Sequence, residues 1–142
     1  MISQDKKLRD KISIIVNHYN AKNFDKVISE SNRILKKNPT IDFLWNILGL
    51  TYQNLKNYNV AEKNFFMALQ INTNNLSAIN NLGNNYKYLL NFNKAEENFL
   101  KVLKIKPDYV TALVNYGNLK FQLNKFEESL KLIFGLSELG QV

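Results

Sequence analysis

Apolar residues recur along this chain at steps of three and four, the spacing that gathers them on one side of an α-helix. Over residues 76–109 one stripe runs Ile79, Leu82, Tyr86, Leu89 and Leu90, and a second runs Ala95, Phe99, Val102 and Leu103. The same two-stripe pattern fills frames 8–41, 42–75 and 110–142, the last one residue short. Each frame therefore predicts a helical hairpin, and no alternating pattern predicts a strand. A lone hairpin cannot bury its apolar side, so stacked neighbours must share a core. The stretch "AINNLGNNYKYLL" (78–90) raises a question within this scheme. Four of its first eight residues are Asn, a poor helix former. Packing must hold that helix, and its amides stand ready for use.

Sliding the sequence against itself gives coincidence at a shift of 34 residues. Leu48-Gly49-x-x-Tyr52 returns as Leu82-Gly83-x-x-Tyr86, with Gly117 one period on. Ala61-x-x-x-Phe65 returns as Ala95-x-x-x-Phe99. Phe24, Tyr58, Phe92 and Phe126 share a column, as do Leu55, Leu89 and Leu123, and Ile71, Ile105 and Leu139. Pro39 and Pro107 stand two periods apart. These residues resemble the tetratricopeptide repeat, whose pattern is W-x2-L-G-x2-Y, then A-x3-F, then P. Frame 42–75 matches through Trp45, Leu48, Gly49, Tyr52, Ala61, Phe65 and Ala68, with Thr73 in place of Pro. Frame 76–109 matches through Leu82, Gly83, Tyr86, Ala95, Phe99 and Pro107, with Ile79 in the Trp column. The outer frames are degenerate. The first has Ile15 for Gly and Val27 for Ala; the fourth has Tyr116 for Leu, Lys120 for Tyr and Ser129 for Ala.

The resemblance implies an all-α fold over residues 1–142: one domain, a right-handed superhelical α-solenoid of four repeats with each first helix lining a concave groove. Local physics adds detail. Gly83 and Ala95 are small where two antiparallel helices cross closely. Asn57, Asn91 and Asn124 are expected at the turn within each repeat, where Asn tolerates a left-handed backbone. Asp108 is placed to cap the helix that follows Pro107.

By the family's groove columns, Asn46 and Ile47 with Leu50, then Asn80, Asn81 and Asn84, then Val114, Asn115 and Asn118 face the groove. Gln53, Lys87, Tyr88, Phe121 and Gln122 continue the same side, and Asn85 lies off it. An amide both donates and accepts, so such a strip can hold the backbone of an extended peptide. The groove of O-linked N-acetylglucosamine transferases looks similar, with a ladder of Asn; here Asn81 and Asn115 fit that column while Ile47 and Ser13 break it. Two plainer readings stand beside this one: the amides serve neighbouring helix ends, or they reflect an Asn-rich composition. Tetratricopeptide domains that clamp acidic chaperone C-termini use Lys, Asn and Arg in groove columns that read Ile12, Val16, Ile47, Ser77 and Asn81 here; the lysines and the arginine are missing, which argues against that clamp.

Composition excludes several classes. The chain has 142 residues, 45% hydrophobic, with 9 Phe, 7 Tyr, 5 Gly and 2 Pro, which suits a helical core and not disorder. It has no Cys, so thiolate, disulfide and zinc-finger chemistry are absent. The lone His18 falls in an aromatic column and has no companions for catalysis or a metal site; no enzyme, cofactor or metal is expected. Glu96-Glu97 and Glu127-Glu128 open second helices, where acids suit the positive helix end. Net charge is +7. Its lysines do not interleave with groove aromatics, which argues against nucleic acid. No apolar run reaches membrane length, and the N-terminus lacks a signal-like core, so a soluble, cytoplasmic protein is expected.

Near the C-terminus, Leu130, Ile133, Phe134, Leu136 and Leu139 give the last helix an apolar side where a terminal repeat needs a polar one. Either a longer chain covers it or it forms a self-association face. The expected function is a protein-interaction scaffold binding a peptide or a partner helix in its groove. The alternatives are a substrate-presenting module at the N-terminus of a larger transferase, and self-assembly through the last repeat.

Overall fold

The computed structural model of the protein describes the backbone of residues 2–139, with the side chains of residues 6–132 and of Phe134. Ile133, Leu136 and Leu139 of the expected apolar side lie outside the described side chains. The elements in order are α1 (Ile2–Asn20), α2 (Phe24–Leu35), α3 (Asp42–Asn54), α4 (Tyr58–Ile71), α5 (Leu76–Tyr88), α6 (Phe92–Ile105), α7 (Val110–Gln122) and α8 (Phe126–Leu139). The described residues are all-α, and the second helix of every repeat opens on its aromatic column. The chain forms two compact units, Met1–Asn75 and Leu76–Val142, each holding two helical hairpins.

In the first unit, Ile15, Val27, Ile34, Leu35, Leu44, Ile47 and Leu48 form a buried cluster flanked by Trp45 and Tyr52. The indole N–H of Trp45 donates to the Pro39 carbonyl at 2.8 Å, tying α3 to the turn before it. In the second unit the core is Ile79, Leu82, Tyr86, Phe99, Val102 and Leu119 with alanines at 78, 95 and 112. The glycine column has a definite cause. A β-carbon on Gly83 would lie 2.7 Å from the Phe99 ring, and one on Gly49 would lie 2.4 Å from the Phe65 ring. The ring of the second helix thus fills the space that a side chain on the first would need. The first repeat inverts this arrangement. Ile15 stands in the glycine column and Ser31 in the phenylalanine column, both fully buried. Bulk moves from α2 to α1, and Ser31 Oγ is left buried without a hydrogen-bond partner among the described residues.

The turns correct the sequence expectation by one residue. The left-handed positions are Lys22, Lys56, Leu90 and Asn124, with φ between 58° and 59°. Of the three asparagines expected there, only Asn124 has that conformation. Asn57 and Asn91 follow it as N-caps, their side chains accepting from the backbone N–H of Val60 and Lys94. Capping outweighs conformational tolerance at these sites because the helix start has N–H groups that need an acceptor. Asp108 is also corrected. The cap residue of α7 is Tyr109, without a side-chain cap.

Candidate functional site

The face shared by α5 and α7 in the second unit carries most of the expected groove residues. Packing brings the two helices side by side, and Asn115 Nδ2 donates to Asn80 Oδ1 across them at 3.0 Å. Asn80 is buried, so this amide joins the repeats and does not face outward. Asn81, half-buried, reaches Ser77 Oγ at 3.4 Å on its own helix. Asn84 is half-buried and its amide has no hydrogen-bond partner among the described residues, while Asn118 is exposed. Further along, Tyr88 is 52% and Phe121 62% exposed, and Gln122 is exposed. Phe121 is fixed in place by an edge-on contact with Phe126, their centroids 5.2 Å apart. Lys87 is half-buried, and burial lowers its pKa below the ordinary lysine value. Its ammonium lies 5.9 Å from the Tyr88 ring centre. The face thus offers amide donors and acceptors, one cation of reduced hydration and two exposed rings.

The equivalent residues of the first unit differ. Asn46 is buried, and Leu50 and Gln53 are half-buried. The Leu50 carbonyl accepts from Asn54 Nδ2 at 2.8 Å, and Asn54 also donates to the Tyr19 hydroxyl. Asn85, off the groove, is fully buried.

A tetratricopeptide repeat model matches residues 44–75 and 76–109. Residues 44–109 are two tetratricopeptide repeats. Among solved structures, a crystal structure of MamA superposes with a TM-score of 0.80 at 19% identity, over 92% of this chain and 77% of that one. The second tetratricopeptide domain of human RPAP3, in complex with the HSP70 peptide SGPTIEEVD, gives 0.71 at 18% identity, over 78% and 92%. The first such domain of Spaghetti (RPAP3), bound to the HSP90 peptide SRMEEVD, gives 0.76 at 18%, over 84% and 94%. At these identities the likeness is one of fold. Among curated proteins no match stands out from chance.

The fourth helical hairpin departs from the repeat pattern at Lys120, Tyr116 and Ser129, and the structure supplies partners for all three. Lys120 is 4% exposed. Its ammonium donates to Glu96 Oε1 at 2.7 Å and to Glu128 Oε2 at 2.8 Å, and the Tyr116 hydroxyl donates to the same Glu96 oxygen at 2.6 Å. One buried cation therefore ties α6, α7 and α8 together. Burial opposes the charge on Lys120, but the Glu128 and Glu96 carboxylates outweigh it and raise its pKa. The hydrogen bond from Lys120 holds Glu96 and Glu128 below the usual carboxylate range. Burial, then the bond to Glu96, raises Tyr116. Sequence reading gave Glu96 and Glu128 only a role at helix starts. The available signal was a lysine in a core column with acids in both flanking second helices. Ser129 is likewise accommodated in its alanine column, its Oγ donating to the Gly117 carbonyl at 2.9 Å.

His18 lies half-buried in the last turn of α1. Among the described residues no group of three or more His, Cys, Asp or Glu could hold a metal ion. No described helix is long and apolar enough to cross a membrane.

Proposed function

We propose that this tetratricopeptide chain is a protein-interaction scaffold that holds an extended peptide along the α5/α7 face of its second unit. The observation that carries the reading is the amide of Asn84, half-buried and without a hydrogen-bond partner among the described residues, beside exposed Asn118, Tyr88, Phe121 and Gln122. A half-buried amide without a partner gains more from a peptide backbone than a fully hydrated one does. The Asn80–Asn115 bond is the brace that sets the spacing of this face. Asn81, Asn84 and Asn118 supply backbone contacts, Tyr88 and Phe121 hold apolar side chains, and Lys87 attracts an acceptor. The RPAP3 domains bind chaperone peptides ending in acidic residues. Here the clamp columns hold Ile12, Val16, Ile47, Ser77 and Asn81, so the ligand proposed for this face is recognised through its backbone and apolar side chains. Peptides selected from a random library against the wild type test this. Asn84→Ala with Asn118→Ala is expected to weaken them about tenfold, the worth of one or two hydrogen bonds, and Phe121→Ala more. Ligands indifferent to all three changes would sink the reading.

Self-association through α8 is a second reading, favoured by Leu130 and Phe134, one helical turn apart and 51% and 64% exposed.

A further inference from the structure

The first unit has a surface that the α5/α7 reading does not use. A cleft of about 530 Å³ opens between α1 and α2, lined by Lys7, Leu8, Lys11, Arg33, Ile34, Lys37 and Asn38. The cations come from two segments: Lys7 and Lys11 are four apart on α1, Arg33 lies in the last turn of α2, and Lys37 lies in the turn just beyond that helix. Arg33 is paired with Glu30. Lys7, Lys11 and Lys37 are exposed and have no ion pair among the described residues. Lys7 and Lys11, like charges four apart on one helix, repel one another, and an anion beside them relieves that repulsion. The floor is apolar, with Ile34 buried and Leu8 half-buried. A second cleft of about 590 Å³ adjoins on the other side of Arg33, lined by Ser29, Asn32, Arg33, Leu35, Lys36 and Trp45.

We infer that these two clefts form a docking surface for an acidic segment of a partner protein: its carboxylates sit among Lys7, Lys11 and Lys37, and an apolar side chain enters beside Trp45. Charge complementarity selects the acidic segment, and the apolar floors select a peptide over a plain polyanion. Trp45 is the one aromatic in these linings, so the successive stacking platform of a single-stranded nucleic acid is not present. The surface lies outside the groove columns, so acidic recognition here is independent of a chaperone-type clamp.

Trp45 is the only tryptophan in the sequence and reports the site directly. The probe is a synthetic peptide of glutamates around a single leucine, titrated into the full chain while indole emission is read. The expected result is a saturable emission change that weakens with salt. The triple variant Lys7→Glu, Lys11→Glu and Lys37→Glu should lose about tenfold in affinity, the product of three surface ion pairs. The triple Lys→Arg variant should retain it. The same peptide with lysines for glutamates should give no change. An affinity untouched by charge reversal, or an equal response to the lysine peptide, overturns the proposal. So does tighter binding of a single-stranded oligonucleotide through the same lysines. Loss of the response on Phe121→Glu instead would assign the peptide to the α5/α7 face and also overturn it. If circular dichroism shows the triple reversal unfolded, Lys7→Glu and Lys37→Glu singly carry the same test, each expected to weaken binding about twofold.

Discussion

At position 90 a leucine holds a left-handed backbone, φ 58°, with its side chain 70% exposed. A β-carbon in that conformation costs roughly 1–2 kcal/mol, and glycine escapes the cost. The helix nevertheless ends there because the turn to α6 must be tight. The N–H of Asn91 reaches the Tyr86 carbonyl at 2.8 Å and that of Leu90 reaches Lys87 at 3.1 Å. Leu90→Gly is therefore expected to stabilise the second unit by about 1 kcal/mol, since little packing is lost. Thermal or urea unfolding followed by circular dichroism checks it; a lower midpoint would refute it. The same column holds Lys22, Lys56 and Asn124, so each repeat carries this turn with a side chain present. The left-handed column was not legible because the neighbouring asparagines at 57 and 91 offered a better-looking signal, and their capping role absorbed it.

At the scale of elements, helices cross where a ring replaces a side chain, and Gly83 against Phe99 shows the rule. The glycine column was legible in the 34-residue period, while the atom that occupies its space was not. The fourth repeat holds its helices partly through charge. Glu96 and Glu128 have pKa values below the ordinary one, so their contribution is present above the unfolded carboxyl pKa and is lost as pH falls through the folded value. Lys120 has a raised pKa, so its share is fully present below the ordinary lysine value and is lost only at higher pH. Between these limits the cluster contributes throughout the neutral range. Lys120→Met keeps the buried stem and removes the ammonium; Glu96 and Glu128 can turn to water. The expected cost at neutral pH is about 1–2 kcal/mol. The sharper expectation concerns slope. Between about pH 7 and about pH 3 the wild type should lose more stability than Lys120→Met does, because only the wild type has Glu96 and Glu128 paired to an ammonium that protonation would unpair. Parallel denaturation series at both ends check this, and equal losses would remove the cluster from the acid response.

At the scale of the whole molecule, 34-residue periodicity yields two compact units with different surfaces. The first carries the basic clefts beside α2, the second the amide and aromatic face of α5 and α7 and the exposed Leu130 and Phe134 of α8. Self-association through α8 predicts a concentration-dependent mass in light scattering that Leu130→Glu with Phe134→Glu lowers to that of one chain. A mass of one chain at every concentration, with or without the substitutions, would dismiss it.

The sequence by itself determined the helical class, the hairpin count and the 34-residue repeat, because burial repeats with the helix period and the columns align at 34. It placed Asn80, Asn84 and Asn115 on neighbouring positions of two first helices. Only the tertiary structure decided that Asn80 turns inward to accept from Asn115 while Asn84 keeps its amide unengaged. It alone joined Lys120 to Glu96 and Glu128, and Lys7 and Lys11 to Lys37. The reason is physical: periodicity fixes which side of a helix a residue occupies, whereas hydrogen bonds and ion pairs depend on which side chain arrives opposite when helices pack.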